Sequence, residues 1–287
     1  MKMENKVLAC VDLSHFADYV ADYASWAAKR MDAPLKFLHV ITRHPEIGSG
    51  EDHSGAIGID SQEILLNKLS EQDAAQAKVA HEKGRVFLNR LRERAIAAGV
   101  ESPDMKQRHG TLEETLVEQE DEVRLFVLGR RGESAEATNR DLGRSVEGVV
   151  RALHKPILTV TEGFVDPRRV MFAFDGSNLT RRGVEMVAAS PLFRGLPIHL
   201  VMSGKPVQDG QKQLEWARET LQAADFEVIP TLIPGDTERV IAGVIQEQHI
   251  DMLIMGAYAH SPLRSLIFGS KTNDLLRSAK IPTLLLR

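Results

Sequence analysis

The 287-residue chain has a single cysteine, Cys10, which excludes an internal disulfide and a zinc site built on thiolates. It also lacks a charge bias: 36 Lys and Arg face 40 Asp and Glu, a net charge of −4. Nucleic-acid wrapping relies on clustered cations that neutralise phosphates, so DNA and RNA are set aside as partners. No run approaches about 18 uninterrupted apolar residues, the length of a membrane span, so no membrane partner is expected. The segment Met1 to Lys6 passes directly into a strand-like run, so no secretory signal is expected. With 43% hydrophobic and 26% charged residues, the composition is that of a soluble globular protein, read as cytoplasmic. At about 100–200 residues per domain, the length suggests two domains or one large one.

What is present is a repeat. Val7 to Ser14 (VLACVDLS) has a counterpart in Val170 to Ser177 (VMFAFDGS): an apolar run ends at an Asp, with a Ser two residues later. Second strand-like runs follow, Leu35–Val40 and Ile198–Val201, each ending in Val. Gly110 and Gly235 then open helical patterns, Val123–Gly129 answers Asp251–Gly256, and Lys155–Val160 answers Ile281–Leu286. Five landmarks in one order imply duplication, with domains at 5–161 and 169–287 joined near Gly163–Arg168. From Asp12 to Gly110 the first half carries about 38 more residues than the second does from Asp175 to Gly235. The surplus comprises a Gly-, His- and acid-rich stretch, Arg43–Asp60, and a helical pattern over about Ser61–Ala98. Such a long connection suggests a lid or an excursion bordering the crevice.

Apolar runs alternate with amphipathic helical patterns, so each half is expected to be an α/β unit with five parallel strands and helices on both faces. In open sheets of this kind, ligands bind beyond the carboxyl ends of the strands, where the strand order reverses. Asp12 and Asp175 end the first strand of each half, and Gly129 and Gly256 end the fourth. If those strands are neighbours, both features face one crevice.

After the fourth strand, the first half reads Gly129-Arg130-Arg131-Gly132, ten residues, then Gly143-Arg144-Ser145. The second reads Gly256-Ala257-Tyr258-Ala259, nine residues, then Gly269-Ser270-Lys271-Thr272. Glycines let backbone N–H groups converge on an anion, and a helix beginning just afterwards adds unsatisfied donors. An isolated Gly-x-x-Gly reads as a simple turn. Its place after a strand, its spacing to Gly-Ser before a helix, and its recurrence favour a phosphate-type site.

With these residues in view, the chain resembles a tandem universal stress protein over essentially its whole length. The resemblance implies an adenine nucleotide alpha-hydrolase-like fold with sheet order 3-2-1-4-5. In one subset of the family it also implies binding of ATP or AMP, with or without Mg. There the strand-one Asp and the Val ending strand two border base and ribose, while glycines and hydroxyls hold phosphates. Carried over, the site residues are Asp175, Val201, Gly256, Ala259, Gly269, Ser270 and Thr272 in the second half. In the first half they are Asp12, Val40, Gly129, Gly132, Gly143 and Ser145. Ala259 stands where the family has its second Gly, and Arg144 takes the place of a small hydroxyl residue in a loop one residue longer. The second half, with its spacing and Gly269-Ser270 intact, is therefore ranked as the better site.

Other candidates carry less. Gly48 to Gly55 lacks the Gly-Lys-Ser/Thr ending of a phosphate loop, and the strand-one turn lacks a dinucleotide-binding Gly-x-Gly-x-x-Gly. His39, His44 and His53 have no three- or four-residue spacing that would favour a metal. Cys10 reads as a small core residue, Trp26 and Trp216 as packing residues, and Arg130-Arg131 as either an anion contact or a solvated loop. No Ser/His/Asp set with nucleophile-elbow spacing occurs, and no catalytic residue is assigned. Turnover needs a positioned base and usually a metal-binding acid, so the expected function is a stress-response regulator that binds adenine nucleotide, not an enzyme. The alternatives are an interaction module with degenerate loops and a weak ATP hydrolase. The apolar last strands invite edge pairing, here expected between the two halves; a further homodimer is left open.

Overall fold

The computed structural model describes residues 5–41, 59–130, 144–204, 209–257 and 280–287. The first half comprises β1 (Lys6–Val11), α1 (Ala17–Met31), β2 (Leu35–Ile41), α2 (Ile59–Ala97), β3 (Asp104–His109), α3 (Leu112–Val117), β4 (Val123–Gly129), α4 (Arg144–Ala152) and β5 (Ile157–Val160). The second comprises β6 (Val170–Phe174), α5 (Asn178–Ala189), β7 (Ile198–Gly204), α6 (Gly210–Gln222), β8 (Val228–Pro234), α7 (Thr237–Glu247), β9 (Met252–Gly256) and β10 (Thr283–Leu286). No described helix is long and apolar enough to cross a membrane.

Burial explains the order of the strands. Every residue of β1, β5 and β10 is buried, as a strand covered by helices on both faces requires. The outermost strands are β3, DMKQRH, and β8, which carries Pro230 and Pro234. Charge and proline blunt an edge against pairing with further chains. Within each half the order is 3-2-1-4-5 with parallel pairing. The two halves form one continuous ten-stranded sheet, β3-β2-β1-β4-β5-β10-β9-β6-β7-β8. The central pair, β5 and β10, is antiparallel, with Thr159 opposite Thr283 and Leu158 opposite Leu284. The carboxyl ends of the strands therefore point toward one edge of the sheet in the first half and toward the opposite edge in the second.

Two apolar layers cover the sheet, and each runs through both halves. One holds β1 residues Val7 and Ala9 together with Phe172, Leu200 and Leu284; the other holds Leu8, Phe126, Met171 and Leu285. Alternate residues of each strand feed opposite layers, as the pleat demands. α1 lies close on the first layer through Ala21, Ala24, Ala27 and Ala28, all at most 2% exposed. The carboxyl-terminal part of α2 packs beside it through Leu88, Leu91 and Ala95, and Arg94 forks onto Asp22 at 2.6 and 2.8 Å.

Polar contacts fasten the halves together. The Thr159 hydroxyl donates to the Thr283 carbonyl at 3.2 Å. Arg130, directly after β4, donates across the junction to the Ile281 carbonyl at 3.0 Å and the Thr283 hydroxyl at 3.3 Å. Arg287 reaches back to the carbonyls of Leu153 and Arg151 at the end of α4, and to Ala257. On the α1 face, Arg30 donates to the Leu192 and Arg194 carbonyls, and Trp26 lies 6.4 Å from Phe193 between ring centroids. The linker is tied down as well. Val165 N–H donates to the Tyr23 hydroxyl, and the backbone amides of Arg168 and Arg169 both donate to Asp251 at 2.9 Å.

Candidate functional site

Parallel pairing brings each strand-one tip beside a strand-four tip. In β1 and β4, Cys10 faces Leu128, so continuing the register puts Val11 opposite Gly129 and Asp12 one step beyond. In β6 and β9, Ala173 faces Met255, which puts Phe174 opposite Gly256 and Asp175 one step beyond. The same acid-and-glycine pair thus stands on one rim in each half, at the point where the strand order reverses.

Each aspartate closes a short turn with the serine two residues on. Asp12 Oδ1 accepts from the Ser14 amide at 3.2 Å and the Ser14 hydroxyl at 2.5 Å. Asp175 Oδ1 accepts from the Ser177 amide at 2.9 Å and the Thr180 hydroxyl at 2.7 Å. This is the side-chain turn that Asp favours, because its short carboxylate reaches the backbone two residues ahead. The serines then differ in use. Ser177 caps α5 by accepting from the Thr180 amide at 3.3 Å, whereas among the described residues no side chain caps α1. Between Asp175 and Ser177, Gly176 sits at φ +76°, and a Cβ there would meet Gln213 Oε1 of α6 at 1.7 Å. Its first-half counterpart, Leu13, is an exposed apolar residue on the rim.

The second strands do not contribute equivalent residues. Val11 faces His39, so Val40 comes level with Asp12. Ala173 faces Val201 and Phe174 faces Met202, so the residue level with Asp175 is Ser203. Val201 lies two residues back from the rim, 2% exposed and within the apolar layer with Met171 and Met255. The structure therefore brings Asp12, Val40 and Gly129 together, and Asp175 with Gly256, but not Val201. Ser203 and Thr180 were missed in the sequence. The signal for Thr180 is its place three residues after the capping Ser177. Ser203 becomes visible only when residues are counted from the strand-one Asp.

Gly256 fits its place for a steric reason: a Cβ there would come within 3.0 Å of Leu179 Cδ2 and 3.4 Å of Thr180 Cγ2. Gly132, Gly143, Ala259, Gly269, Ser270 and Thr272 lie outside the described residues, as does nearly all of the Arg43–Asp60 stretch, with His44 and His53. Ser145 stands in the first turn of α4, its side chain outside the described part.

The remaining candidates resolve into structural roles. Arg130 is not a solvated residue: it is 6% exposed and turned into the junction, where burial pushes its guanidinium down to about 10. His39 is buried and its Nδ1 lies 3.1 Å from the Val11 carbonyl, which can only accept, so that nitrogen carries the proton. Burial pushes the Cys10 thiol far up, leaving an inert core group. Trp216 carries the Arg181 guanidinium over its ring at 4.7 Å. Among the described residues no group of three His, Cys, Asp or Glu is placed to hold a metal.

The model of the universal stress protein family matches residues 3–161 and again 167–287. Universal stress protein Slr1230 of a Synechocystis species is 33% identical over 284 residues, covering 98% of this chain and 99% of its own. A crystal structure of a universal stress protein from Archaeoglobus fulgidus superposes with a TM-score of 0.71 at 18% identity, covering 98% of this chain and 96% of that one. The functionally unknown protein PA1789 from Pseudomonas aeruginosa superposes with a TM-score of 0.59 at 15% identity, covering 99% and 93%.

Proposed function

The chain belongs to the universal stress protein family, and from that membership we propose that it is a regulatory protein binding adenine nucleotide, ATP or AMP, through the crevice of its second half. Each half, 5–161 and 169–287, acts as one domain in this reading, and the chain works by occupancy and not by turnover. The observation that carries it is the shared rim of Asp175 and Gly256, one register step apart on adjacent parallel strands.

The donor set suits a nucleoside. All the described hydrogen bonds of Asp175 run to Oδ1, which the Ser177 amide and Thr180 hydroxyl hold in place. Its second oxygen is then oriented to accept from ribose hydroxyls. Gly256 keeps side-chain bulk off Leu179 and Thr180, in the first turn of α5 beside the Asp175 turn. Phosphates are assigned, from the sequence motif, to Gly269, Ser270 and Thr272, whose amides and hydroxyls are suitable donors, with Ala259 at the motif's second glycine position. Convergent N–H groups of this kind bind phosphate without a metal ligand set. The first-half crevice, with Asp12, Val40, Gly129, Gly132, Gly143 and Ser145, is proposed as the weaker site. There Leu13 replaces the rim glycine, and Ala17 stands where Thr180 would support the Asp.

Calorimetric titration of the whole chain with ATP tests this reading. Binding is expected, and Gly269→Asp, which sets a carboxylate against the phosphates, is expected to abolish it. No heat and no thermal shift at millimolar ATP, or equal affinity in the variant, defeats the assignment.

A further inference from the structure

We propose that the cavity between the two halves is a binding site for a small organic monoanion with an apolar body, a monocarboxylate the size of hexanoate or benzoate. The cavity measures about 180 Å³ and is walled from both halves, by Met31 and Leu125 on one side and Met186, Phe193 and Leu284 on the other. An apolar cavity of about 150 Å³ suffices to hold benzene, so a six-carbon body fits with little to spare.

Apolar walls alone would accept any hydrocarbon of that size. Arg124 makes the difference. It is the only charged side chain among the described residues lining the cavity. It is half-buried, and it enters no hydrogen bond or ion pair among the described residues. A guanidinium offers five N–H donors in a planar fork that matches a carboxylate through two parallel bonds. Beside apolar walls such a pair is stronger than on an open surface. An alcohol or an ammonium ion of equal carbon count cannot form it.

The site is separate from the strand-tip crevice. Arg124 stands near the start of β4, five residues and about 17 Å of extended chain from Gly129. It is therefore independent of the nucleotide reading. An occupant touching both halves favours the docked junction and raises the stability of the whole chain by mass action.

The whole chain, labelled at its methionine methyl groups, is titrated by NMR with hexanoate, hexanol and hexylammonium. Hexanoate is expected to shift the Met31 and Met186 methyls saturably and to bind about tenfold tighter than the other two. Arg124→Met keeps the apolar stem and is expected to remove that advantage while leaving hexanol unaffected. Ala189→Phe, introduced at an exposed position on the cavity wall, is expected to block all three and serves even if Arg124→Met fails to fold. Equal hexanoate affinity in the wild type and Arg124→Met overturns the proposal. So does binding that leaves Met31 and Met186 unmoved, or that survives Ala189→Phe, and so does the absence of saturable binding at millimolar hexanoate.

Discussion

The Thr180 hydroxyl donates a 2.7 Å hydrogen bond to Oδ1 of Asp175, and counting from the two aspartates, the first half has Ala17 at that position. Thr180 is 3% exposed, so its hydroxyl is committed to this turn, whereas Asp175 itself is open to solvent. Thr180→Val preserves shape and removes the donor. A hydrogen bond of this kind is worth about 1 kcal/mol net, so ATP affinity at the second half is expected to fall about fivefold, with a comparably small loss of stability. Calorimetry alongside urea unfolding reads both, and unchanged affinity would mean that Asp175 needs no such support.

Ser203 and Val201 make opposite predictions. Ser203 is half-buried on the rim, level with Asp175, so Ser203→Phe is expected to fill the crevice and abolish nucleotide binding with little change in thermal stability. Val201 sits in the core, so Val201→Ala is expected to cost about 1–3 kcal/mol of stability through the lost methyls and the cavity left behind. Its folded fraction should keep near-normal affinity. The reverse pattern would restore Val201 as the nucleotide contact.

That pair also marks where the sequence is readable and where it is not. Asp12, Asp175, Gly129 and Gly256 stand out because each ends an apolar run, and an apolar run is what a strand buried on both faces must be. Gly110 and Gly235, at φ +138° and +148°, recur because both start a turn into a helix, α3 capped by Thr111 and α7 by Asp236. The end of β7 is hidden. Its apolar run stops at Met202, but the ladder to β8 continues through Ser203 and Gly204, since backbone hydrogen bonds do not depend on side-chain polarity. Arg130 is hidden for a different reason. A charged residue between a glycine and another arginine looks solvated, and only the antiparallel meeting of β5 and β10 supplies the carbonyl and hydroxyl that take it inside.

Arg287 offers a test of how the halves depend on each other. Its guanidinium donates to Leu153 and Arg151 carbonyls of the first half and to Ala257 of the second, at 2.9 to 3.1 Å. The last carbonyls of a helix lack intrahelical partners, and a cation placed there also meets the negative end of the helix dipole. Arg287→Ala is expected to destabilise the chain by about 2 kcal/mol and to quicken hydrogen exchange at the α4 end of the first half. If exchange changes only near Ala257, the arginine does not link the two halves.

Glu120 predicts a distinct acid response. Burial works to raise its pKa, but the carboxylate accepts from the His154 and Lys155 amides and from His154 Nδ1, and together these hold it below its ordinary value near 4.5. A carboxyl whose pKa is lower folded than unfolded adds stability that is complete above the unfolded value and disappears as pH falls through the folded one. Glu120→Gln keeps one accepting oxygen but carries no charge at any pH. At neutral pH the variant is expected to be less stable by about 1–3 kcal/mol, since hydrogen bonds to a charged group are the stronger kind. Below pH 4.5 the wild type loses this advantage and the two stability curves should converge. Urea unfolding across the acid range reads the difference. A gap that stays constant with pH would show that the turn before β5 is held by shape alone, with the charge on Glu120 contributing nothing.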